Sequence, residues 1–310
     1  MTGAWIGLVA AIIVLLAIDL LLVRGRGGAM STRQAAVASA AWVAVSVAFF
    51  GVLLVFGDAA DANAFLAGYL VEKSLSLDNV FVFLLIFSSF GIAVHERHRL
   101  LTYGIVGALV LRAVFIVGGA ALLAAVGWIS LLFAGLLGWT AWRMWQHRHD
   151  HDDSGEFVDT LRRRMPIATD DGDGHRLVTR EGGRRVLTTA GAALAAIGIA
   201  DLLFAVDSVP AILAITDDAF IVFAANAFAL LGLRPLFFLV ADLVARLYYL
   251  KTALAVLLAF IAAKMVWGEF AGKVEPQFSL PVIVAILVAG TVASIVRDRR
   301  IAARAAPHAA

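Results

Sequence analysis

The sequence predicts an all-α polytopic membrane protein of about nine transmembrane helices, six of which form two inverted three-helix repeats. Hydrophobic residues make up 62% of the 310 residues and charged residues only 15%, whereas charged residues make up about 25% of ordinary soluble domains. The mean hydropathy is +0.92. Long apolar runs recur along the chain, and two of them contain the same pattern of acidic residues. These observations exclude a soluble globular protein.

The spans are predicted from apolar runs, because a helix that crosses the hydrocarbon core needs about 20 mostly apolar residues. The first run is too long for a signal peptide and lacks a basic start, so it is predicted to be retained as a helix. The turn between the fourth and fifth spans is very short. The nine predicted spans cover residues 4–23, 36–56, 65–90, 101–124, 127–145, 188–214, 219–241, 247–267 and 281–296.

The distribution of basic residues predicts the orientation, because Lys and Arg accumulate in cytoplasmic loops. With nine spans, the arginine-rich segments all fall on one side, and the loops on the other side are mostly acidic. The amino terminus is therefore predicted outside and the carboxyl terminus in the cytoplasm. Basic residues placed in this way set the orientation in the lipid bilayer, and they do not indicate binding of nucleic acid. The basic residues on the cytoplasmic side include Arg24, Arg26, Arg33, Arg97, Arg99, Arg162, Arg163, Arg164, Arg176, Arg180, Arg184, Arg185, Arg297, Arg299 and Arg300.

A nine-residue acidic pattern occurs twice, in the third and sixth predicted spans. It reads EKSLSLDNV at residues 72–80 and DLLFAVDSV at residues 201–209, so the second copy follows 129 residues after the first. Each copy has two acids six residues apart, followed by a small polar residue. The matched pairs are Glu72 with Asp201, Asp78 with Asp207, and Asn79 with Ser208.

The repetition extends beyond these motifs. The segment LVLRAVF around Arg112 in the fourth span resembles LGLRPLF around Arg234 in the seventh span. The third span runs inward and the sixth outward, so the two triplets are predicted to have inverted topology, as in many secondary transporters. The chain accordingly divides into two accessory helices (1–60), a first repeat (61–145), a hydrophilic insertion (146–187), a second repeat (188–268) and a last helix with a cytoplasmic tail (269–310).

Four carboxylates inside apolar spans need a compensating charge, since each charged Asp near the bilayer centre costs about 2.5 to 3.5 kcal/mol. Two interpretations remain open. In one, Arg112 neutralises one repeated acid and Arg234 another, and structural pairing alone explains the acids. Arg112, Arg234 and Asp19 are accordingly the candidates for charge pairing or a proton path. In the other, a cation binds the repeated polar residues. The candidate ligands are Glu72, Asp78, Asn79, Asp201, Asp207 and Ser208.

The ligand chemistry limits the identity of such a cation. The chain has no cysteine, so thiolate sites are excluded and oxygen ligands favour manganese, magnesium or calcium over copper or zinc. On a continuous helix, six residues turn through about 600 degrees, so the two acids of one motif point about 120 degrees apart. Either the helices are unwound at the motifs, which Ser74, Ser76 and Pro210 favour, or one acid coordinates and the other serves a neighbouring helix or a proton path. Asn226 in the seventh span is either a ligand or an interhelical hydrogen-bonding residue, and the second is favoured.

The hydrophilic insertion at residues 146–187 begins with HRHDHDD at 147–153. It has too few apolar residues to predict an independent fold. Its histidines and acids are explained either by a loose metal site or by a charged linker. No nucleophile with an attendant histidine and acid lies in the spans, and no phosphate-binding loop is present. The sequence therefore predicts neither an enzyme nor a permanently bound cofactor.

The chain resembles the TerC family of bacterial integral membrane proteins. The resemblance is carried by GYLVEKSLSLDNVFVFLLIF at 68–87, YGIVGALVLRAVFI at 103–116, DLLFAVDSVPAI at 201–212 and NAFALLGLRPLFF at 226–238. The family name records an association with tellurium resistance. The resemblance implies efflux of metal ions, manganese above all, with Glu72, Asp78, Asp201 and Asp207 handling the metal. Relatives often carry a glutamate where this chain has Gly198.

The predicted function is export of divalent cations, Mn2+ above all, across the bacterial cytoplasmic (inner) membrane by alternating access of the two repeats, coupled to protons. Carboxylates that bind a cation at cytoplasmic pH and release it on protonation supply a simple coupling. The alternative is a membrane scaffold or stress sensor. Such a scaffold would assemble cytoplasmic metal-response or tellurite-response proteins through the insertion at 146–187.

Overall fold

The computed structural model describes residues 2–24, 30–125, 128–146, 153–168, 176–181, 184–241, 249–271 and 276–305. Nearly all of these residues are helical, which confirms the all-α membrane class. The helices are α1 (Thr2–Arg24), α2 (Thr32–Phe56), α3 (Ala59–Ser89), α4 (Val94–Ala125), α5 (Ile129–Gln146), α6 (Asp153–Arg164), α7 (Thr189–Leu213), α8 (Ala219–Leu231), α9 (Leu233–Ala241), α10 (Leu250–Ala271) and α11 (Pro276–Ala305), and the strands are β1 (Val178–Glu181) and β2 (Arg184–Leu187).

Only some of these helices are long and apolar enough to cross a membrane. Within the described residues, five helices qualify, and the bent pair of α8 and α9 makes a sixth if it is one span. The other predicted spans overlap α1, α3 and α5. In α3 the charged residues Glu72, Lys73 and Asp78 lie close together, which lowers its apolarity. Nine transmembrane helices therefore remain a prediction. The qualifying segments are Thr32–Phe56, Val94–Ala121, Thr189–Leu213, Thr252–Phe270 and Phe278–Arg297.

Helices α3 and α7, which carry the two acidic motifs, run antiparallel. Ala64, near the start of α3, belongs to the same buried cluster as Ala211, near the end of α7. Phe87, near the end of α3, belongs to the same cluster as Ala190, at the start of α7. The motifs are central in both helices, so antiparallel packing brings them to one level of the bundle.

A break at Gly232 separates α8 from α9, and the two helices are bent by 41°. The Lys73 ammonium donates a hydrogen bond of 3.2 Å to the carbonyl oxygen of Ala229 in the last turn of α8. A Cβ at position 232 would lie 2.8 Å from Lys73 Nζ and 3.0 Å from Trp42 Cβ. Glycine at this position therefore allows Lys73 of α3 to reach the carboxyl end of α8, where a cation is favoured by the helix dipole.

The described part of the insertion is folded against one end of the bundle. Leu161 of α6 and Met165 just after it, together with Leu177 just before β1 and Leu187 of β2, pack against the apolar cluster around the end of α3. The Ser89 hydroxyl also donates to Asp159 Oδ1 at 3.2 Å. A few apolar residues are enough here, because the bundle supplies the other side of the interface. The predicted histidine-rich segment at residues 147–151 lies outside the described residues.

The hairpin is fixed to α7 at its first turn. Thr188 is the N-cap of α7, and its hydroxyl accepts a hydrogen bond of 3.0 Å from the Gly191 amide and donates one of 2.6 Å to the Arg176 carbonyl. A Cβ at Gly191 would lie only 1.8 Å from the carbonyl oxygen of Leu177. Because this oxygen belongs to the backbone, an alanine at 191 must displace the hairpin.

Gly191→Ala is therefore expected to loosen the hairpin from α7 and to accelerate tryptic cleavage after Arg176, Arg180 and Arg185. Limited proteolysis of the purified protein in detergent, followed by mass spectrometry of the fragments, measures this rate. Gly198→Ala is the matched control, since a Cβ at Gly198 meets no atom within 4 Å. Equal cleavage rates in the two variants would contradict this account of the packing.

Candidate functional site

Four buried polar side chains from four helices meet at the level of the acidic motifs. They are Glu72 of α3, Arg112 of α4, Asp201 of α7 and Asn226 of α8, here named the Arg112 cluster. None of the four is more than 3% exposed. Sequence reasoning predicted three of them as candidate site residues and the fourth as a hydrogen-bonding residue. Charges buried to this degree require partners within the protein.

Arg112 supplies those partners for both motifs at once. Its Nη1 donates to Glu72 Oε1 and, at 2.6 Å, to Asn226 Oδ1. Its Nη2 lies 3.5 Å from Asp201 Oδ1. The Asn226 amide donates to the Val222 carbonyl oxygen at 2.9 Å, which holds Asn226 Oδ1 toward Arg112. The bond from Arg112 to Asn226 is the interhelical hydrogen bond that the sequence predicts. One guanidinium thus joins the first acids of the two motifs.

The motifs lie in continuous helices, so local unwinding, one of the two alternatives, is wrong. Helix α3 extends unbroken from Ala59 to Ser89, and α7 from Thr189 to Leu213 with Pro210 inside it. Pro210 cannot donate a hydrogen bond to the Val206 carbonyl, but α7 continues past it for only three residues. Ser74 donates its hydroxyl to the Leu70 carbonyl at 2.6 Å, within the same helix. The two acids of each motif consequently keep their separation of about 120 degrees around the helix axis.

Asp78 and Asp207 lie within these helices, but their side chains fall outside the described part of the structure. Their neighbours Asn79 and Ser208 are 3% and 2% exposed. The Ser208 hydroxyl lies near Glu72 but makes no hydrogen bond of ordinary geometry with it. Among the residues with described side chains, no group of three or more His, Asp or Glu is arranged to hold a metal ion. The six predicted metal ligands therefore remain a prediction as a set.

Several buried oxygens of the site have no hydrogen-bond partner among the described residues. They are Glu72 Oε2, Asp201 Oδ2, Ser76 Oγ and Ser208 Oγ. Arg112 contacts the first oxygen of each carboxylate and leaves the second oxygen free. Burial of a hydrogen-bond acceptor without a partner destabilises the folded protein by about 1 to 3 kcal/mol, and by more when the acceptor is charged. Carboxylate and hydroxyl oxygens of this kind are suitable ligands for a hard divalent cation.

Arg234 forms a separate ion pair, which changes the predicted charge balance. Its Nη2 lies 2.8 Å from Asp19 Oδ1 and donates a hydrogen bond of 2.6 Å to the Asp19 carbonyl oxygen. Thr102 Oγ1 lies 3.4 Å from Nη1. The sequence allowed Arg234 to neutralise one of the four repeated acids, but within the described residues it pairs with Asp19 instead. Among the residues with described side chains, Arg112 is therefore the arginine that pairs with the repeated acids.

Gly198, the position at which the family resemblance leads one to expect a glutamate, is exposed on α7. A Cβ added there meets no atom within 4 Å. Asp201, three residues later, is only 3% exposed and faces Arg112. The Arg112 cluster is therefore built without a side chain at position 198.

Three acids lie at the end of the bundle opposite the insertion. Asp58 caps the start of α3, Asp218 caps the start of α8, and Asp61 lies between them in the first turn of α3. Partial burial, together with the neighbouring carboxylates of Asp218 and Asp58, raises the pKa of Asp61 above the ordinary value for aspartate. This end of the bundle therefore attracts both protons and cations.

Comparisons with known proteins agree with the resemblance. The family model described as "Integral membrane protein TerC family" matches residues 57–302. An "Uncharacterized membrane protein STKORF319" of Myxococcus xanthus is 41% identical over 300 residues, covering 96% of this chain and 93% of that protein. An Escherichia coli K12 protein that carries the name "Putative membrane-bound redox modulator Alx" is 40% identical over 295 residues, covering 92% of this chain and 91% of that protein.

A plant protein is also similar. The "Thylakoid membrane protein TERC, chloroplastic" of Arabidopsis thaliana is 37% identical over 236 residues, covering 76% of this chain and 61% of that protein. No solved structure matches the chain. The family match includes both acidic motifs, Arg112 and Arg234, and the bacterial relatives match almost from end to end. The chain therefore belongs to the TerC family of integral membrane proteins.

Proposed function

We propose that the protein is a secondary transporter that exports divalent metal cations, manganese above all, across the bacterial cytoplasmic membrane in exchange for protons. The observation that carries this proposal is the pair of unsatisfied carboxylate oxygens, Glu72 Oε2 and Asp201 Oδ2, in the buried Arg112 cluster. Buried oxygens from two antiparallel helices suit a cation that needs several hard ligands. The Ser208 hydroxyl beside Glu72 adds a neutral oxygen.

The formal charges support transport rather than a permanent structural ion pair. The two motifs together contain four acids, which are Glu72, Asp78, Asp201 and Asp207. Arg112 compensates one of these charges, and Arg234 pairs with Asp19. Ionisation of all four acids would leave more negative charge in an apolar environment than Arg112 alone can offset, which is costly. A divalent cation, or protons in its place, would balance that charge.

The same charge balance explains how protons drive the exchange. A carboxylate binds a metal in its deprotonated form, so protonation and metal binding compete. At the higher pH of the cytoplasm the cation binds, and at the lower pH outside the acids take up protons and release it. The raised pKa of Asp61 supports proton uptake at the end of the bundle opposite the insertion, which is the outer end in the proposed orientation.

Alternating access of two inverted three-helix repeats, at residues 61–145 and 188–268, is the proposed movement. Each repeat contributes one acidic motif to the site, and the antiparallel arrangement of α3 and α7 supports their inverted relation. The break between α8 and α9 supplies a discontinuous helix, which is common at the sites of secondary transporters. The proposal includes nine spans, an outer amino terminus and a cytoplasmic carboxyl terminus.

Manganese uptake into inside-out membrane vesicles tests the proposal directly. Vesicles that contain the protein are expected to accumulate Mn2+ when their lumen is acidic, and a protonophore is expected to abolish the accumulation. Vesicles from the same strain without the protein are the control. Accumulation equal to this control, with or without a pH gradient, would contradict export.

A scaffold or stress sensor that assembles cytoplasmic metal-response proteins is the second candidate. It is favoured by the ordered packing of α6 and the hairpin against the bundle, which presents a defined surface to a partner. Flux into proteoliposomes containing only the purified chain separates the two functions. A transporter moves manganese without other proteins, whereas a scaffold alone moves none.

A further inference from the structure

An open groove lies against the hairpin that precedes α7. Three arginines line it, Arg176 before β1, Arg180 in β1 and Arg185 in β2, together with the apolar residues Val178 and Leu187. The arginines are exposed. The groove lined by these three arginines is named the arginine groove. The chemistry of the Arg112 cluster does not involve them, since they lie at one end of the bundle.

The register of the hairpin places two of these arginines face to face. Val178 pairs with Leu187 and Arg180 pairs with Arg185 in the antiparallel ladder. Directly opposite residues on one face have Cβ atoms about 5 Å apart, and like charges at such positions destabilise a sheet. Residues 178 and 180 lie on the same face because side chains alternate along a strand. The hairpin therefore holds two positive charges together without an evident benefit to its own stability.

No acidic partner relieves this repulsion within the described residues. The side chains of Arg176, Arg180 and Arg185 make no hydrogen bond or ion pair with any residue that the structure describes. An arginine presents several N–H donors in a planar fork that matches the oxygens of a phosphate. An anion bound between the two strands would receive donors from both sides and remove the repulsion.

The position of the groove identifies the source of the anion. Thr188, the N-cap of α7, donates to the Arg176 carbonyl at 2.6 Å, so the groove begins beside the first turn of a candidate membrane span. Val178, between Arg176 and Arg180 on the strand, is 48% exposed. Basic residues next to a transmembrane helix attract anionic lipid, and an exposed apolar side chain beside them suits the acyl boundary.

We propose that the arginine groove binds the phosphate headgroup of an anionic phospholipid. The lipid would then hold the hairpin and α7 together at the membrane surface. This proposal is independent of the transported ion, because it uses none of the residues of the Arg112 cluster.

Titration of the full-length protein in detergent with short-chain phosphatidylglycerol tests the proposal, with phosphatidylcholine of the same chain length as the reference lipid. The wild type is expected to bind phosphatidylglycerol at least tenfold more tightly. Each basic residue near a membrane surface contributes an attraction equivalent to about fivefold in affinity. Arg180→Gln/Arg185→Gln is therefore expected to weaken phosphatidylglycerol binding by about 25-fold.

Arg162→Gln/Arg163→Gln is the matched control, because it removes the same charge from exposed arginines of α6 outside the groove. Its affinity is expected to stay within twofold of the wild type. If both double variants lose the same affinity for phosphatidylglycerol, net charge alone explains the binding, and the proposed site is overturned. Equal affinity of the wild type for the two lipids would also overturn it, as would pyrophosphate binding without a preference for anionic lipid.

A second measurement uses the wild type only and does not depend on a variant that folds. Phenylglyoxal modifies accessible arginines, and mass spectrometry measures the extent at each one. Phosphatidylglycerol is expected to protect Arg176, Arg180 and Arg185 and to leave Arg162 and Arg163 unprotected. Equal modification of the three groove arginines with and without this lipid would overturn the proposal.

Discussion

Replacing Arg112 with methionine is expected to prevent the protein from accumulating in a folded form. Arg112 is fully buried and contacts Glu72, Asp201 and Asn226. Its removal leaves two buried carboxylates without their shared cation, and breaking a buried ion pair in this way costs about 3 to 5 kcal/mol. This is a large fraction of the roughly 5 to 15 kcal/mol by which native proteins are stable. The yield of monodisperse protein after detergent extraction, and its thermal midpoint, measure the loss.

A combined variant distinguishes the loss of charge compensation from the loss of side-chain packing at Arg112. Arg112→Met with Glu72→Gln and Asp201→Asn removes the cation and both anions, so no uncompensated charge remains. Replacement of a whole buried ion network by neutral side chains is often tolerated, so this variant is expected to recover most of the yield. Arg162→Met on exposed α6 is the control for the loss of one arginine. If the combined variant is as unstable as Arg112→Met alone, packing rather than charge compensation explains the role of Arg112.

Asp78→Asn and Asp207→Asn are each expected to abolish manganese tolerance in a strain that lacks its own exporters, without lowering the amount of protein in the membrane. Arg112 already compensates Glu72 and contacts Asp201, so the second acid of each motif supplies charge that the cation requires. Loss of residues that only support metal ligands lowers metal affinity by about 10- to 100-fold, and loss of a ligand charge is expected to lower it at least as much. Growth across a manganese concentration series measures tolerance.

Asp159→Asn is the matched control for this experiment. It makes the same chemical change at an exposed residue of α6, where the asparagine oxygen can still accept the hydrogen bond from Ser89, and it is expected to preserve tolerance. Immunoblots of isolated membranes establish equal protein levels. Unchanged tolerance in both Asp78→Asn and Asp207→Asn would refute the role of the repeated acids in transport.

The membrane fold class could be predicted from the sequence because it depends on composition and on the lengths of apolar runs. The need of Glu72 and Asp201 for a compensating partner could also be predicted, because charged residues in apolar runs are costly and their repetition is visible in the sequence. Arg112 was a candidate partner for the same reason. These features are local or periodic, so they can be read without knowing which helices touch.

The pairing of Arg234 with Asp19 could not be predicted, because 215 residues separate them and no periodicity specifies which helices become neighbours. The continuity of α3 and α7 was mispredicted because Ser74 and Pro210 weaken helices in isolation. In the folded chain, Ser74 bonds to the preceding turn and Pro210 lies in the last turn. The folding of the insertion was missed because its apolar residues pack against the bundle rather than against one another.

Helix α3 makes two long-range polar contacts through consecutive residues. Glu72 is bound to Arg112 of α4, and Lys73 is bound to the Ala229 carbonyl at the end of α8. Because both side chains extend from adjacent positions on one rigid helix, α3 cannot turn about its axis enough to release one contact while keeping the other unchanged. A rotation of α3 that moved Glu72 away from Arg112 would therefore also move Lys73 away from the carboxyl end of α8, next to the break between α8 and α9.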